Sequence, residues 1–214
     1  MEGVRLYEKG AAAPIPEDKI KLFKEKVKEY GKSEANSKRN YLLFLIALGT
    51  GFRMQDIVTL SIGDLKDAIS LGCLEIQERK QYNQWKSNLS EYPNSPKPKK
   101  RKVELSEALI KEIKLYTRNK KRSEYAFPSR KGNYITQEYF SKILKSIGKE
   151  MQLEKITGHS MRKTYATLIY ENTGKDIVAT KNAIGHKSIE ETRRYIGEAQ
   201  RDAKKASFII NSYV

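Results

Sequence analysis

Between Asn36 and Gly49 the chain carries Leu42, Leu43, Leu45, Ile46 and Leu48, so a helix here is apolar nearly all round rather than along one stripe. Such a helix must be buried, and the rest of the chain has to wrap around it. The 214 residues are enough for one large or two small domains with a core of their own. Other segments predict flanking helices with a single apolar face. Pro16 suits the first turn of a helix with Ile20, Phe23, Val27 and Tyr30 on one face and Gly31 as its stop. Arg53 to Leu60 reads as a short helix that begins with the arginine, setting a guanidinium beside helix-terminal N–H groups, a combination suited to an anion. Ser106 caps a helix carrying Leu109, Ile113 and Tyr116, and Thr136 caps one carrying Phe140, Ile143, Leu144 and Ile147. A loop from Tyr125 to Gly132 separates them. His159 to Glu171 is a further helix stopped at Asn172-Thr173-Gly174, and Asp176 starts a short one. Ser188-Ile189-Glu190-Glu191 has the form of a capping box, so a helix begins just after Gly185-His186 and carries Tyr195 near its end. Ala199 to Ile210 forms a last helix or tail.

Strand signals are sparse. Leu74 to Glu78 alternates, and Lys102-Val103-Glu104-Leu105 is its hairpin partner. The expected fold class is therefore α+β, mainly α, with a small antiparallel β-sheet insert. Between the strands lies a basic hairpin insert, about residues 80–101, polar and punctuated by Pro93, Pro96 and Pro98. A loop of that length is functional or disordered. It reads equally as a solvated basic flap and as a flap that lies on DNA phosphates.

Charge narrows the partners. Forty-two Lys and Arg against 26 Asp and Glu leave +16, a field that attracts phosphate polymers. Anionic membranes and ribosomes suit the same charge, but no apolar run is long enough to span a bilayer and Met1 to Arg5 lacks a signal-peptide stretch. The expectation is a soluble, cytoplasmic protein with nucleic acid as its partner and no membrane partner. The single cysteine, Cys73, reads as a small buried hydrophobe, and with two distant histidines it makes no recognisable zinc spacing. No metal or cofactor is expected.

The only two histidines, His159 and His186, stand in the same chain as Arg53, Arg162 and Tyr195. Two guanidiniums, two imidazoles and a phenol are the groups needed to break a phosphodiester without metal. His159 and Arg162, three apart, share a helix face. Each signal alone has a plainer reading: a surface polar pair for His159 and Arg162, a capping or structural role for His186, and packing for Tyr195, one of 13 tyrosines.

The ordered set is more specific. Thr50-Gly51-Phe52-Arg53 through Leu60, closed by Asp64-Leu65, resembles the first arginine box of the tyrosine recombinases, the phage-integrase family. His159-Ser160-Met161-Arg162 is similar to the family's His-x-x-Arg box, and Ile184-Gly185-His186 through Tyr195-Ile196 to its closing box. The resemblance spans roughly Asn36 to Ile196. It implies that Tyr195 is the nucleophile, forming a 3′-phosphotyrosyl bond and freeing a 5′-hydroxyl without a nucleotide cofactor. It implies further that Arg53 and Arg162 hold the non-bridging oxygens, that His159 acts as base or proton relay, and that His186 supports the phosphate or the pocket. The two guanidiniums are expected to lower the phenol's pKa. The resemblance also implies a hairpin lysine as general acid; Lys80 best fits, with Lys86, Lys97, Lys99 and Lys100 as rivals.

Two small departures are Asp56, where Glu is commoner in the family, and Lys163, where a second His is often found. A larger one is that only about 35 residues precede the matched region, too few for the family's helical core-binding domain. The domain reading is an N-terminal arm and helix over 1–35, a catalytic domain over 36–197, and a tail over 198–214 that packs on its own core or docks on a neighbouring protomer. Duplex DNA is the implied substrate, with a homo-oligomer, a tetramer, on DNA and accessory DNA-bending or directionality factors as further partners. Two readings from other classes compete: a non-catalytic DNA-binding regulator that keeps the fold, and a basic RNA- or ribosome-associated protein. The latter explains +16 but not the ordered boxes.

Overall fold

The apolar segment is the centre of the molecule. In the computed structural model, which describes residues 12–197, α2 spans Glu34–Thr50 and buries Leu42, Leu43, Phe44, Ile46 and Ala47. Ser33 caps its start by accepting from the Asn36 amide. The helix runs through Gly49 and stops at Gly51, whose φ of 58° is a left-handed conformation that favours glycine. The expected stop at Gly49 is thus two residues early.

In front of α2, α1 spans Glu17–Glu29 and lays Phe23 and Val27 against it, with the Phe23 and Phe44 rings stacked at 5.7 Å. Pro16 stands just outside the helix and Tyr30 just past it, so Tyr30 is exposed rather than on the packing face. After Gly51 come α3 (Met54–Ile57) and α4 (Ile62–Leu71), the latter opened by a Ser61–Asp64 capping box. Strand β1 (Cys73–Ile76) pairs antiparallel with β2 (Arg101–Glu104), Ile76 opposite Arg101. Cys73 is buried as expected.

The insert between these strands departs from an irregular flap. It opens with α5 (Arg79–Asn88), which has no glycine or proline to break it, and from Leu89 to Lys100 the chain is turn and loop. Trp85 Nε1 donates to the Ser95 carbonyl at 2.9 Å, folding the proline-rich return back onto the helix. Next come α6 (Glu107–Thr117) and a second small sheet, β3 (Pro128–Ser129) with β4 (Gly132–Tyr134), where the sequence predicts only loop. Then follow α7 (Gln137–Glu150), α8 (Gly158–Asn172), α9 (Ile177–Ile184) and α10 (Ile189–Ile196). The architecture is mainly helical with two small antiparallel sheets.

Two apolar clusters hold this together. The larger joins α1 to α4, β1, α6 and α7 and includes Ile15, Phe23 and Val27 from the N-terminal segment. The smaller, of Ala166, Tyr170, Ile184 and Ile196, packs α8, α9 and α10, with Tyr165 and Tyr195 against it. No helix among the described residues is long and apolar enough to cross a membrane. The expected tail helix from Ala199 and its docking role lie outside the described residues, as does the N-terminal arm up to Ala11.

Candidate active site

The site forms where α8 passes between the end of α2 and the end of α9. A Thr157–Ser160 capping box starts α8, and Arg162 falls on its buried face beside α2. Arg162 Nη1 donates to the Gly51 carbonyl at 2.7 Å and Nη2 donates to the Ile184 carbonyl. One guanidinium therefore ties the first arginine box to the closing box. Gly51 is required for more than its φ: a Cβ there lies 2.2 Å from the Tyr165 ring.

Arg53 caps α3, and its Nη1 lies 2.8 Å from Glu78 Oε1. Arg162 Nη1 reaches the same oxygen at 2.9 Å. The two arginines singled out in the sequence thus converge on one anionic atom, and Glu78 itself is 1% exposed. A third guanidinium, Arg101, has Nε 3.8 Å from Glu78 Oε1. It donates to the Ala183 carbonyl at 2.7 Å and the Thr50 carbonyl at 2.9 Å, next to the carbonyls held by Arg162, and stacks 3.8 Å from the Phe52 ring. Burial lowers the Arg101 pKa to about 10, with Arg162 adding to the shift and Glu78 opposing it. Burial lowers that of Arg162 too, again against Glu78.

Sequence reasoning passed over Glu78 and Arg101. A signal for Glu78 was present: Leu74, Ile76 and Glu78 share the inward parity of the strand, and a carboxylate at an inward position demands cationic partners. Arg101 stood hidden in a basic run, yet hairpin register sets it opposite Ile76 and so near Glu78.

Tyr195 projects from α10 towards this cluster. Its ring meets the His186 ring edge-on at 5.0 Å, and Lys163 Nζ lies 5.8 Å from the ring centroid. The phenolic oxygen is buried without a hydrogen-bond partner among the described residues. Arg162 and Arg53 do act to lower its pKa, as expected, but desolvation outweighs them and pushes it up to about 12. Burial disfavours the phenolate more than the nearby cations favour it. His186 closes the turn after α9, where Gly185 adopts φ 69°. Its Nδ1 lies 3.2 Å from Thr192 Oγ1, and burial lowers its pKa to about 4 although Glu191 opposes the shift.

His159 and Lys80 occupy the outer rim, both exposed. Desolvation lowers the His159 pKa, followed by the charges of Arg53, Arg162 and Lys80. Among the hairpin lysines, Lys80 is thus close enough to act on His159. Lys97 instead lies 5.3 Å from the Tyr82 ring, while Lys86, Lys99 and Lys100 are exposed. Asp56 is buried under the cluster, accepting from the Arg79 amide at 3.3 Å, and burial raises its pKa. No group of His, Cys, Asp and Glu able to hold a metal ion occurs among the described residues.

Comparison with known proteins agrees with this fold. A probable integrase/recombinase of Bacillus subtilis, YoeC, is 31% identical over 186 residues, which cover 86% of this chain and 91% of YoeC. The site-specific recombinase XerH, solved bound to its difH substrate in a pre-cleavage complex, superposes with a TM-score of 0.63 at 25% identity, covering 86% of this chain and 49% of XerH. The chain therefore spans about half the length of XerH. The catalytic domain of bacteriophage HP1 integrase shares the fold, with a TM-score of 0.53, 20% identity and coverage of 86% and 87%. The model of the phage integrase family matches residues 15–201, taking in α1 as well as all three sequence boxes. By that match, and by the recombinase fold around Arg53, Arg162 and Tyr195, this chain belongs to the phage integrase family of tyrosine recombinases.

Proposed function

We propose that this chain cleaves and rejoins duplex DNA at specific sites through a 3′-phosphotyrosyl bond to Tyr195, with residues 36–197 as the catalytic unit. The observation that carries this is the convergence of Arg53 and Arg162 on a single anionic oxygen, 2.8 and 2.9 Å away, beside a buried phenol. Glu78 Oε1 stands where an oxygen of the scissile phosphate binds, and the phosphate takes its place on the two guanidiniums. Planar forks suit that task because they hold two oxygens at once and gain strength as charge builds on phosphorus.

In the forward step Tyr195 Oη attacks phosphorus and the bond from phosphorus to O5′ breaks. With a pKa of about 12, the phenol is protonated at neutral pH and has to lose its proton during attack. His159, whose lowered pKa keeps it a free base at pH 7, takes that proton. Lys80 gives a proton to the departing O5′, which leaves as a 5′-hydroxyl. Rejoining reverses the steps: the 5′-hydroxyl attacks, and Tyr195 departs as a phenol. His186, kept neutral by its pKa of about 4, is a hydrogen-bonding partner rather than a charge. Duplex DNA as substrate is supported by the +16 charge and by the DNA-bound recombinase that the chain resembles. Assembly on DNA as a tetramer, aided by accessory DNA-bending or directionality factors, belongs to the same reading.

The test is an SDS-stable adduct on supercoiled plasmid bearing the DNA that flanks this gene, with chelator present. Wild type forms the adduct and Tyr195→Phe binds DNA without forming it. An adduct that survives Tyr195→Phe removes the nucleophile assignment.

A further inference from the structure

We propose that α5 is a base-reading helix for duplex DNA, with Asn83 as its sequence-determining side chain; this rests on the reading of the site as a DNA strand-transfer centre. The helix starts one residue after Glu78, whose carboxylate lies on Arg53 and Arg162. The start of α5 thus lies beside the arginines of the site, and the charge of Lys80 reaches His159.

Side-chain contacts hold the helix at several points. Gln81 Nε2 donates to the Gly185 carbonyl at 3.2 Å and Lys187 Nζ donates to Gln84 Oε1 at 3.2 Å, which fasten it to the turn around His186. Trp85, on the same face as Gln81, meets the Tyr82 ring at 5.5 Å and bonds the proline-rich return. Both aromatics are thereby spent on anchoring.

What remains outward is polar and basic. Lys80, Asn83 and Ser87 lie three, four and seven residues apart along one exposed face, with Lys86 beside them. No acidic residue occurs from Arg79 to Ser90. A protein partner is recognised through an apolar, aromatic-rich centre, which this face lacks. Amide, hydroxyl and ammonium groups instead match base edges and phosphates. Ten residues make a rod of about 15 Å, and a helix fits a major groove roughly 12 Å wide. The Asn83 side chain is exposed, and an asparagine amide pairs bidentately with the N6 and N7 of adenine in that groove.

The experiment selects binding sites from a pool of duplexes carrying a randomised segment, using wild type, Asn83→Ala and Asn83→Gln in parallel. Wild type enriches a sequence with an adenine that Asn83→Ala no longer prefers, and the affinity ratio of best over unselected duplex falls by roughly 5- to 150-fold. Asn83→Gln retains or shifts the preference at that base pair rather than erasing it. Identical selected sequences for all three proteins overturn the proposal. So does a wild type that binds duplex with no preference but still forms the Tyr195-dependent adduct, which leaves the strand-transfer reading standing. A wild type that neither binds duplex nor forms the adduct removes both.

Discussion

Arg53 and Tyr195 are mounted on very different foundations. Arg53 follows α2, whose Leu43, Phe44, Ile46 and Ala47 are all fully buried in the large cluster that runs from α1 to α7. Tyr195 rides on α10, held through the small cluster of Ala166, Tyr170, Ile184 and Ile196. Regions with few buried apolar contacts open at lower free energy than the body of a protein. The half carrying Arg53 is therefore the more rigid, and the half carrying Tyr195, the proposed nucleophile, is the one that yields. That division suits the chemistry, because a phenol buried without a hydrogen-bond partner has to gain access to the phosphate while the arginines stay in place. Arg162 and Arg101 are the bridge, since both bind carbonyls at 50–51 and at 183–184.

Cutting that bridge has the largest expected effect. Arg162→Ala leaves Glu78 buried with one cation fewer, which costs about 3–5 kcal/mol of stability. It also lowers adduct formation by about 10²- to 10³-fold. Denaturant titration and a plasmid adduct time course read the two effects; an unchanged unfolding midpoint would show that the clamp holds nothing. Next come apolar truncations on the two sides. Phe44→Ala costs about 3–5 kcal/mol globally. Ile196→Ala acts locally, speeding amide exchange in α9 and α10 while α2 stays protected. Equal acceleration in α2 would erase the contrast between the two clusters.

Gly51→Ala strains a left-handed residue and drives a methyl into Tyr165, a cost of about 1–3 kcal/mol. Because Gly51 also supplies a carbonyl to Arg162, the loss in adduct yield accompanies the loss in melting temperature. Protonation of His186 gives a smaller, tunable effect. Its folded pKa of about 4 lies below the ordinary 6.5, so folding favours the neutral ring. That contribution is present above pH 6.5 and is lost as pH falls towards 4. Wild type should lose more melting temperature between pH 7 and pH 5 than His186→Gln; parallel losses would assign the acid sensitivity elsewhere. Least of all, the Lys99→Ala/Lys100→Ala pair should leave stability within about 0.5 kcal/mol. It should reduce the salt dependence of DNA affinity by about one phosphate contact for each lysine that touches the backbone.

Much of this was legible before any coordinates. The all-round apolar helix announced the centre of the core, and caps at Ser106, Thr136 and Ser188 marked helix starts that the structure keeps. Arg53, Arg162, His186 and Tyr195, read from three local boxes, do come together, whereas His159 and Lys80 stand at the rim. The misses share a cause. The helix in the insert was obscured by the prolines that follow it, and the second sheet has strands of only two and three residues, too short for alternation to register.

What the sequence determined by itself was local: apolar periodicity, caps, the glycine at Gly51, and the identity and order of the chemical groups. These follow from residues a few positions apart, where spacing translates directly into a shared face or turn. Only the tertiary structure decided that Glu78 holds Arg53 and Arg162, that Arg101 doubles their clamp, and that the phenol of Tyr195 is pushed up to about 12 rather than down. Those properties depend on desolvation and on charges far apart in the chain. Both are set by packing, which no local pattern records.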